Sequence, residues 1–142
     1  MRFRLRTLLG FALACAPGCR SSEARRFEAD VAGLGRRIDA LRDAPNAAKR
    51  PLLAALDGAA CEHPDACELK TMCVSAYTRH LDALAANDRV KTMLAEPDGG
   101  ANAALAAAAE LARAERDLEL ARSQTERCAT LQGELRRRSQ AP

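Results

Sequence analysis

Apolar residues recur at intervals of three and four along most of the chain, and this spacing predicts amphipathic helices separated by short breaks. No run alternates between apolar and polar residues over the length of a strand. The fold class is therefore predicted to be all-α. The first helix is predicted over residues 22–43, where one apolar series comprises Phe27, Val31, Leu34, Ile38 and Leu41.

Two further helices are predicted between residues 51 and 96. Pro51 suits the first turn of a short helix over residues 51–60, because a proline there removes an amide that has no helical partner. A longer helix is predicted over residues 65–96, with Asp65 as its N-cap and Glu68 completing a capping box. The apolar side of this helix comprises Leu69, Met72, Cys73, Ala76, His80 and Leu84.

The strongest turn signal is the segment 97–100, Pro-Asp-Gly-Gly, and a last helix is predicted after it over residues 101–137. Apolar and small residues follow this helix at coiled-coil spacing: Leu111, Ala114, Leu118, Ala121, Thr125, Cys128 and Leu135. Outside that stripe, ion pairs four residues apart are predicted, including Arg122 with Glu126. The two long helices then form an antiparallel hairpin. With the first helix along it, the prediction is an antiparallel three-helix bundle.

The first residues have a different character from this helical region. Arginines occupy positions 2, 4 and 6, an apolar run follows over residues 8–16, and small residues lead to Cys19. This is the order of a secretory signal. The apolar run is too short to span a bilayer, which requires roughly 20 residues.

The sequence Ala16-Pro17-Gly18-Cys19 resembles the lipobox of bacterial lipoproteins, in which a signal peptidase cleaves before a diacylated cysteine. The resemblance implies that residues 1–18 are a lipoprotein signal peptide and that residues 19–142 are the mature helical domain. Cys19 is the favoured lipidation site, and Cys15 is the alternative. The residue after the anchor is arginine rather than the aspartate that retains many lipoproteins in the inner membrane. The resemblance therefore implies an outer-membrane location, facing the periplasm or the cell surface.

The charge balance argues against nucleic acid as a partner. The chain has 22 basic and 19 acidic residues, and the three arginines of residues 1–18 have no acidic counterpart there. Removing those three from the 22 leaves 19 basic residues against 19 acidic ones. Nucleic-acid binding depends on excess basic charge directed at phosphates, and a mature domain of zero net charge lacks that excess.

Four cysteines remain after the lipidated one, which outside the cytoplasm implies two disulfides. The favoured pairs are Cys73 with Cys128, on the apolar sides of the two long helices, and Cys61 with Cys67, beside one helix start. The positions along a hairpin leave a second connectivity open, Cys67 with Cys128 and Cys61 with Cys73. Such cross-links would support a core with few aromatic residues.

A metal site at Cys61, His63, Cys67 and Cys73 is the alternative use of the same residues. Five residues separate each neighbouring cysteine pair, whereas structural zinc sites place paired ligands two to four residues apart. His80 is predicted to be a partly buried side chain. No nucleophile, phosphate-binding loop or cofactor motif is recognisable. The predicted role is structural or adaptor-like, without catalysis, through protein contacts of a helix face.

Overall fold

The structure is a computed structural model, and it describes residues 21–95 and 100–141. The proposed signal peptide, both candidate lipidation sites Cys15 and Cys19, and residues 97–99 of the predicted turn over residues 97–100 lie outside the described residues. The helices are α1 (Ser22–Asp43), α2 (Asn46–Asp57), α3 (Pro64–Ala95) and α4 (Gly100–Gln140). The all-α prediction is confirmed. The four predicted helical segments are all present in the described part of the chain, and α2 packs against both α1 and α3, so the three-helix bundle is not confirmed.

Helix α1 follows the predicted boundaries. The Ser21 hydroxyl caps its start by accepting a 3.1 Å hydrogen bond from the Ala24 amide. The helix stops before Pro45, and Ala44 adopts the extended conformation that a following proline imposes. The buried residues of the predicted stripe are Val31, Leu34, Ile38 and Leu41.

Helix α2 begins earlier than predicted. Residue 46 starts the helix, so Pro51 lies inside it rather than in its first turn. The Ala48 amide donates a 2.9 Å bond to the Pro45 carbonyl in the opening turn. The reason for the early start is tertiary: Lys49 on this opening turn bonds to the end of α1, a contact that local sequence signals do not report.

Helix α3 begins one residue earlier than predicted, and its cap differs. Pro64 is the first helical residue, a position that suits proline. His63 precedes it, and its Nδ1 accepts a 3.3 Å hydrogen bond from the Asp65 amide. The predicted capping box with Asp65 as the cap is therefore wrong, since Asp65 already belongs to the first turn.

Helices α3 and α4 form an antiparallel pair with the largest helix interface in the described chain. Their cross-links run in opposite order along the two helices, from one end to the other: Asp65 to Arg138, Cys73 to Cys128, Arg79 to Asp117, and Arg89 to Glu110. The predicted hairpin arrangement agrees with this order.

Residues at seven-residue intervals bury the seam between α3 and α4. On α3 they are Leu69, Ala76, Ala83 and Val90. On α4 they are Ala107, Ala114, Ala121, Cys128 and Leu135. Because most of these side chains are small, the two helices bury little apolar area per turn along this seam.

The larger apolar side chains lie at one end of the hairpin, called here the base, where α1 and α2 cover it. The fully buried ones there are Leu34, Ile38, Leu41, Leu56, Leu69 and Leu135, together with Cys73 and Cys128. The other end, called here the distal part, comprises residues 86–95 and 100–118. Its buried residues are small, apart from Val90. The base is therefore the main hydrophobic core of the described chain.

Candidate functional site

The four cysteines of the described chain form two disulfides. Cys61 is bonded to Cys67, with Cα atoms 5.5 Å apart, and Cys73 is bonded to Cys128, with Cα atoms 5.1 Å apart. The first joins the loop before α3 to the first turn of that helix. The second joins α3 to α4 inside the core, where both residues are fully buried. This is the favoured connectivity and not the alternative that paired Cys67 with Cys128.

The alternative metal site at Cys61, His63, Cys67 and Cys73 is not formed in this structure. All three cysteines are oxidised, so they offer no thiolate to a metal. The His63 ring instead lies against the Phe27 ring, with centroids 4.7 Å apart. Within the part of the chain that the structure describes, no group of three histidine, cysteine or acidic side chains is placed to hold a metal ion.

The loop that contains Cys61 is held to α1 by one carboxylate. Asp30 Oδ2 accepts hydrogen bonds from the amides of Glu62, at 2.7 Å, and His63, at 2.8 Å. The guanidinium of Arg138 on α4 lies over the Phe27 ring, 5.1 Å from its centroid. The base of the bundle is thus closed by contacts among α1, α4 and the loop.

A polar cluster joins α1 to α4 next to the core. Gln132 is 4% exposed. Its amide nitrogen donates to Asp39 at 3.0 Å and to the Gly35 carbonyl at 3.3 Å, while its oxygen accepts a 2.6 Å bond from Arg42. Arg136 donates to the other Asp39 oxygen at 2.9 Å. Burying the Gln132 amide costs little free energy because its polar atoms have hydrogen-bond partners. The same bonds fix the position of α1 on α4.

Asp39 makes the stability of this cluster depend on pH. Burial raises the pKa of Asp39, but hydrogen bonds from Gln132 and Arg136 and the charges of Arg136 and Arg42 outweigh it, so the pKa lies below its usual 3.8. A lowered pKa means that Asp39 stabilises the folded chain above its unfolded pKa and loses that effect as pH falls through the lower folded value.

We therefore expect the free energy of unfolding to decrease as pH falls below about 4, and the Asp39→Asn variant to show a smaller decrease over that interval. Urea titrations at a series of pH values, followed by circular dichroism, measure both slopes. Asp57→Asn is the matched control, since Asp57 is an exposed residue at the end of α2. Equal acid dependence of the Asp39→Asn variant and the parent would contradict the assignment.

A second cluster lies where α1, α2 and α3 meet. Lys49 is 7% exposed, and its Nζ lies over the Tyr77 ring, 5.8 Å from the centroid. Burial raises the pKa of Tyr77. Burial also lowers the pKa of His80 below its usual 6.5, with a further contribution from the Lys49 charge, and both effects favour the neutral ring. His80 is half-buried, as the sequence predicted.

The predicted apolar stripe of α4 separates into two rows in the structure. Ala114, Ala121, Cys128 and Leu135 face α3 and are buried. Leu111 and Leu118 are 41% and 40% exposed, so their predicted place in the hairpin seam is wrong. Both belong to a second row at seven-residue intervals, which continues through Thr125 to Gln132.

In this second row, Gln132 is hydrogen-bonded to α1. We call the other three residues, the exposed Leu111 and Leu118 and the half-buried Thr125, the open α4 stripe. The physical reason is length: α1 has 22 residues and α4 has 41, so at 1.5 Å per residue they extend roughly 33 and 62 Å. A helix of that length, crossing near the base, leaves the distal part of α4 uncovered.

A groove of about 500 Å³ lies along the part of this stripe that contains Leu118 and Thr125. His80 of α3 forms one side of it, and Leu118, Ala121 and Thr125 of α4 form its apolar and small floor. Charged residues of α4 form the rim, namely Glu115, Glu119, Arg122 and Glu126. The groove thus combines an apolar floor with an acidic rim.

No family model, curated protein or solved structure matches the chain. Within residues 21–95 and 100–141, the helices include none with the length and hydropathy of a membrane span.

The rim charges of the groove pair differently from the prediction. Arg122 lies 3.6 Å from Glu119, three residues earlier, and not next to Glu126. Within the described residues, neither Glu115 nor Glu126 has an ion-pair partner. Two carboxylates are consequently free for an external cation, a feature that the sequence alone had assigned to internal pairing in the case of Glu126.

Proposed function

We propose that this chain is a bacterial cell-envelope lipoprotein, anchored to the outer membrane by lipid at Cys19, with a structural or adaptor role that it performs through protein contacts. The observation that carries the proposal is the Cys73–Cys128 disulfide in the core. Core disulfides form and persist in oxidising compartments, which in a bacterium lie outside the cytoplasm. The arginine-rich, apolar leader that ends in small residues before Cys19 supports export independently of the disulfide.

The open α4 stripe supports the contact role. Single exposed leucines are ordinary on protein surfaces, but Leu111 and Leu118 lie on one face of one helix, and Leu118 lines a groove. The hairpin carries this face away from the base, where α1 and α2 pack. A helix face held at a distance from the rest of the domain is suited to contact a second protein.

The lipid anchor gives a prediction with an all-or-none result. The parent protein, expressed in a bacterium with a lipoprotein pathway, is expected to carry a diacylglyceryl group on an N-terminal Cys19, and Cys19→Ala is expected to lose the lipid and membrane association. Mass spectrometry of the N-terminal peptide and membrane fractionation measure the two effects. A density gradient separates inner from outer membrane.

Cys15→Ala is the matched control for this experiment. It removes the rival cysteine while leaving Gly18-Cys19 intact, so lipidation and fractionation should match the parent. Loss of lipid in Cys15→Ala and its retention in Cys19→Ala would move the anchor to Cys15. An intact polypeptide that still begins at Met1, found in the cytoplasm with free thiols, would overturn the proposed function.

A further inference from the structure

The open α4 stripe is the continuation of a helix-binding row. At Gln132 the row is covered by α1, through the hydrogen bonds to Gly35 and Asp39. Thr125, one heptad before Gln132, is half-buried. Leu118 and Leu111, two and three heptads before Gln132, are exposed. Seven-residue spacing is the pattern by which a helix receives another helix along its side. The row therefore has the geometry for one more helix beyond the end of α1.

The charges along the groove indicate what kind of helix fits. Three glutamates, at positions 115, 119 and 126, border it against one arginine, Arg122. Glu119 already lies near Arg122, whereas Glu115 and Glu126 have no partner in the described part of the chain. Burial and the Lys49 charge lower the pKa of His80, the groove residue from α3, which disfavours a positive charge on its ring. The rim is therefore negative, with two carboxylates unneutralised.

A second copy of the chain is disfavoured as the occupant by the same charges. If two copies packed their open α4 stripes together, Glu115, Glu119 and Glu126 of each would border one interface. Like charges that are brought together across an interface lower affinity and exclude the wrong partner. The groove is thus better matched to a helix with cationic flanks than to itself.

We propose that this groove, with Leu111 one heptad beyond it, binds an amphipathic helix of a partner protein. The apolar stripe of that helix lies on Leu118 and Leu111, and its lysine or arginine side chains lie against the glutamates. The inference rests on the proposed adaptor function and names the chemistry of its partner. The stretch from residue 111 to residue 126 extends about 22 Å, which four turns of a helix match. Apolar contact supplies affinity, and the acidic rim supplies the choice of partner.

Two synthetic helical peptides test the proposal. Both are 18 residues long with the same leucine stripe, and one carries lysine at the flanking positions where the other carries glutamate. The full lipidated chain is held in nanodiscs of zwitterionic lipid, so that the lysine peptide is not attracted to the bilayer, and binding is followed by fluorescence anisotropy. We expect the lysine peptide to bind at least tenfold more tightly than the glutamate peptide, with an affinity that decreases as salt increases.

Matched variants separate the apolar and the charged contributions. Glu115→Lys/Glu126→Lys is expected to reverse the preference between the two peptides. Leu111→Ser/Leu118→Ser is expected to lower the affinity for the lysine peptide at least tenfold. Leu105→Ser/Leu120→Ser is the control, since these leucines are 71% and 50% exposed and lie outside the stripe. All four positions of the leucine variants are surface positions, and unchanged melting curves verify that the fold is kept.

Three results would overturn this inference. They are equal binding of the two peptides, indifference of binding to the glutamate reversals, and a dimer in sedimentation that the Leu111→Ser/Leu118→Ser variant abolishes. The last result would make a second copy the occupant. Each of them leaves the lipid anchor at Cys19 untouched, because that anchor is measured by mass spectrometry. A cytoplasmic, unlipidated chain would instead remove the proposed function while the peptide result still describes the groove.

Discussion

Replacing Cys73 and Cys128 together by alanine is expected to lower the free energy of unfolding by about 4 kcal/mol. The bond closes a loop of 55 residues, and without it the unfolded chain regains the conformational freedom that the closed loop denies. Both residues are fully buried, so two alanines in their place leave only a small cavity. Urea unfolding of the oxidised parent and the variant measures the difference, which corresponds to a shift of the melting temperature by about 15 °C.

The second disulfide is the control for the first. Cys61→Ala/Cys67→Ala removes a bond whose partners are separated by only 6 positions, and the same loop argument gives about 2 kcal/mol. Since the total stability of a domain is about 5–15 kcal/mol, the larger loss is the more damaging to folding. Equal losses in the two variants would show that loop length does not determine the effect. No loss in either would mean that the small-residue seam is sufficient by itself.

The features that could be predicted from the sequence are those with one strong local cause. The α1 stripe repeats at three and four residues, so its buried side follows from the period alone. Proline marks the end of α1 and the start of α3 within one residue of the prediction. The favoured partner of Cys73 follows from the apolar faces of two helices that a short connection makes neighbours.

The features that the sequence did not predict depend on contacts between elements. Helix α2 starts at residue 46 because Lys49 reaches the end of α1, and no propensity scale includes that contact. The two rows of α4 have the same seven-residue period, and the row left open contains the larger apolar residues Leu111 and Leu118, so the pattern cannot tell which row faces α3. Only the difference in length between α1 and α4 indicates that part of α4 stays uncovered. A 22-residue helix cannot cover a 41-residue partner, and the uncovered leucines are the consequence.

Lys49→Met is expected to lower the free energy of unfolding by about 2 kcal/mol, because it removes a charged donor from buried acceptors. Nζ donates to the Leu41 carbonyl at 2.7 Å and the Arg42 carbonyl at 2.9 Å. These carbonyls belong to the last turn of α1, where the helix itself supplies no amide and where positive charge is favourable. Methionine keeps the apolar stem but leaves the two oxygens without this donor.

Lys70→Met provides the comparison that separates burial from the bond itself. Lys70 also donates to two carbonyls at a helix end, those of Asp57 at 3.2 Å and Ala59 at 3.0 Å, but it is only half-buried. Water can replace its ammonium there, so the loss should be about 0.5 kcal/mol. Urea unfolding of both variants measures the ratio. Similar losses at the two positions would contradict the burial argument, whereas a loss confined to Lys49 would show that its buried bonds between α2 and α1 stabilise the fold.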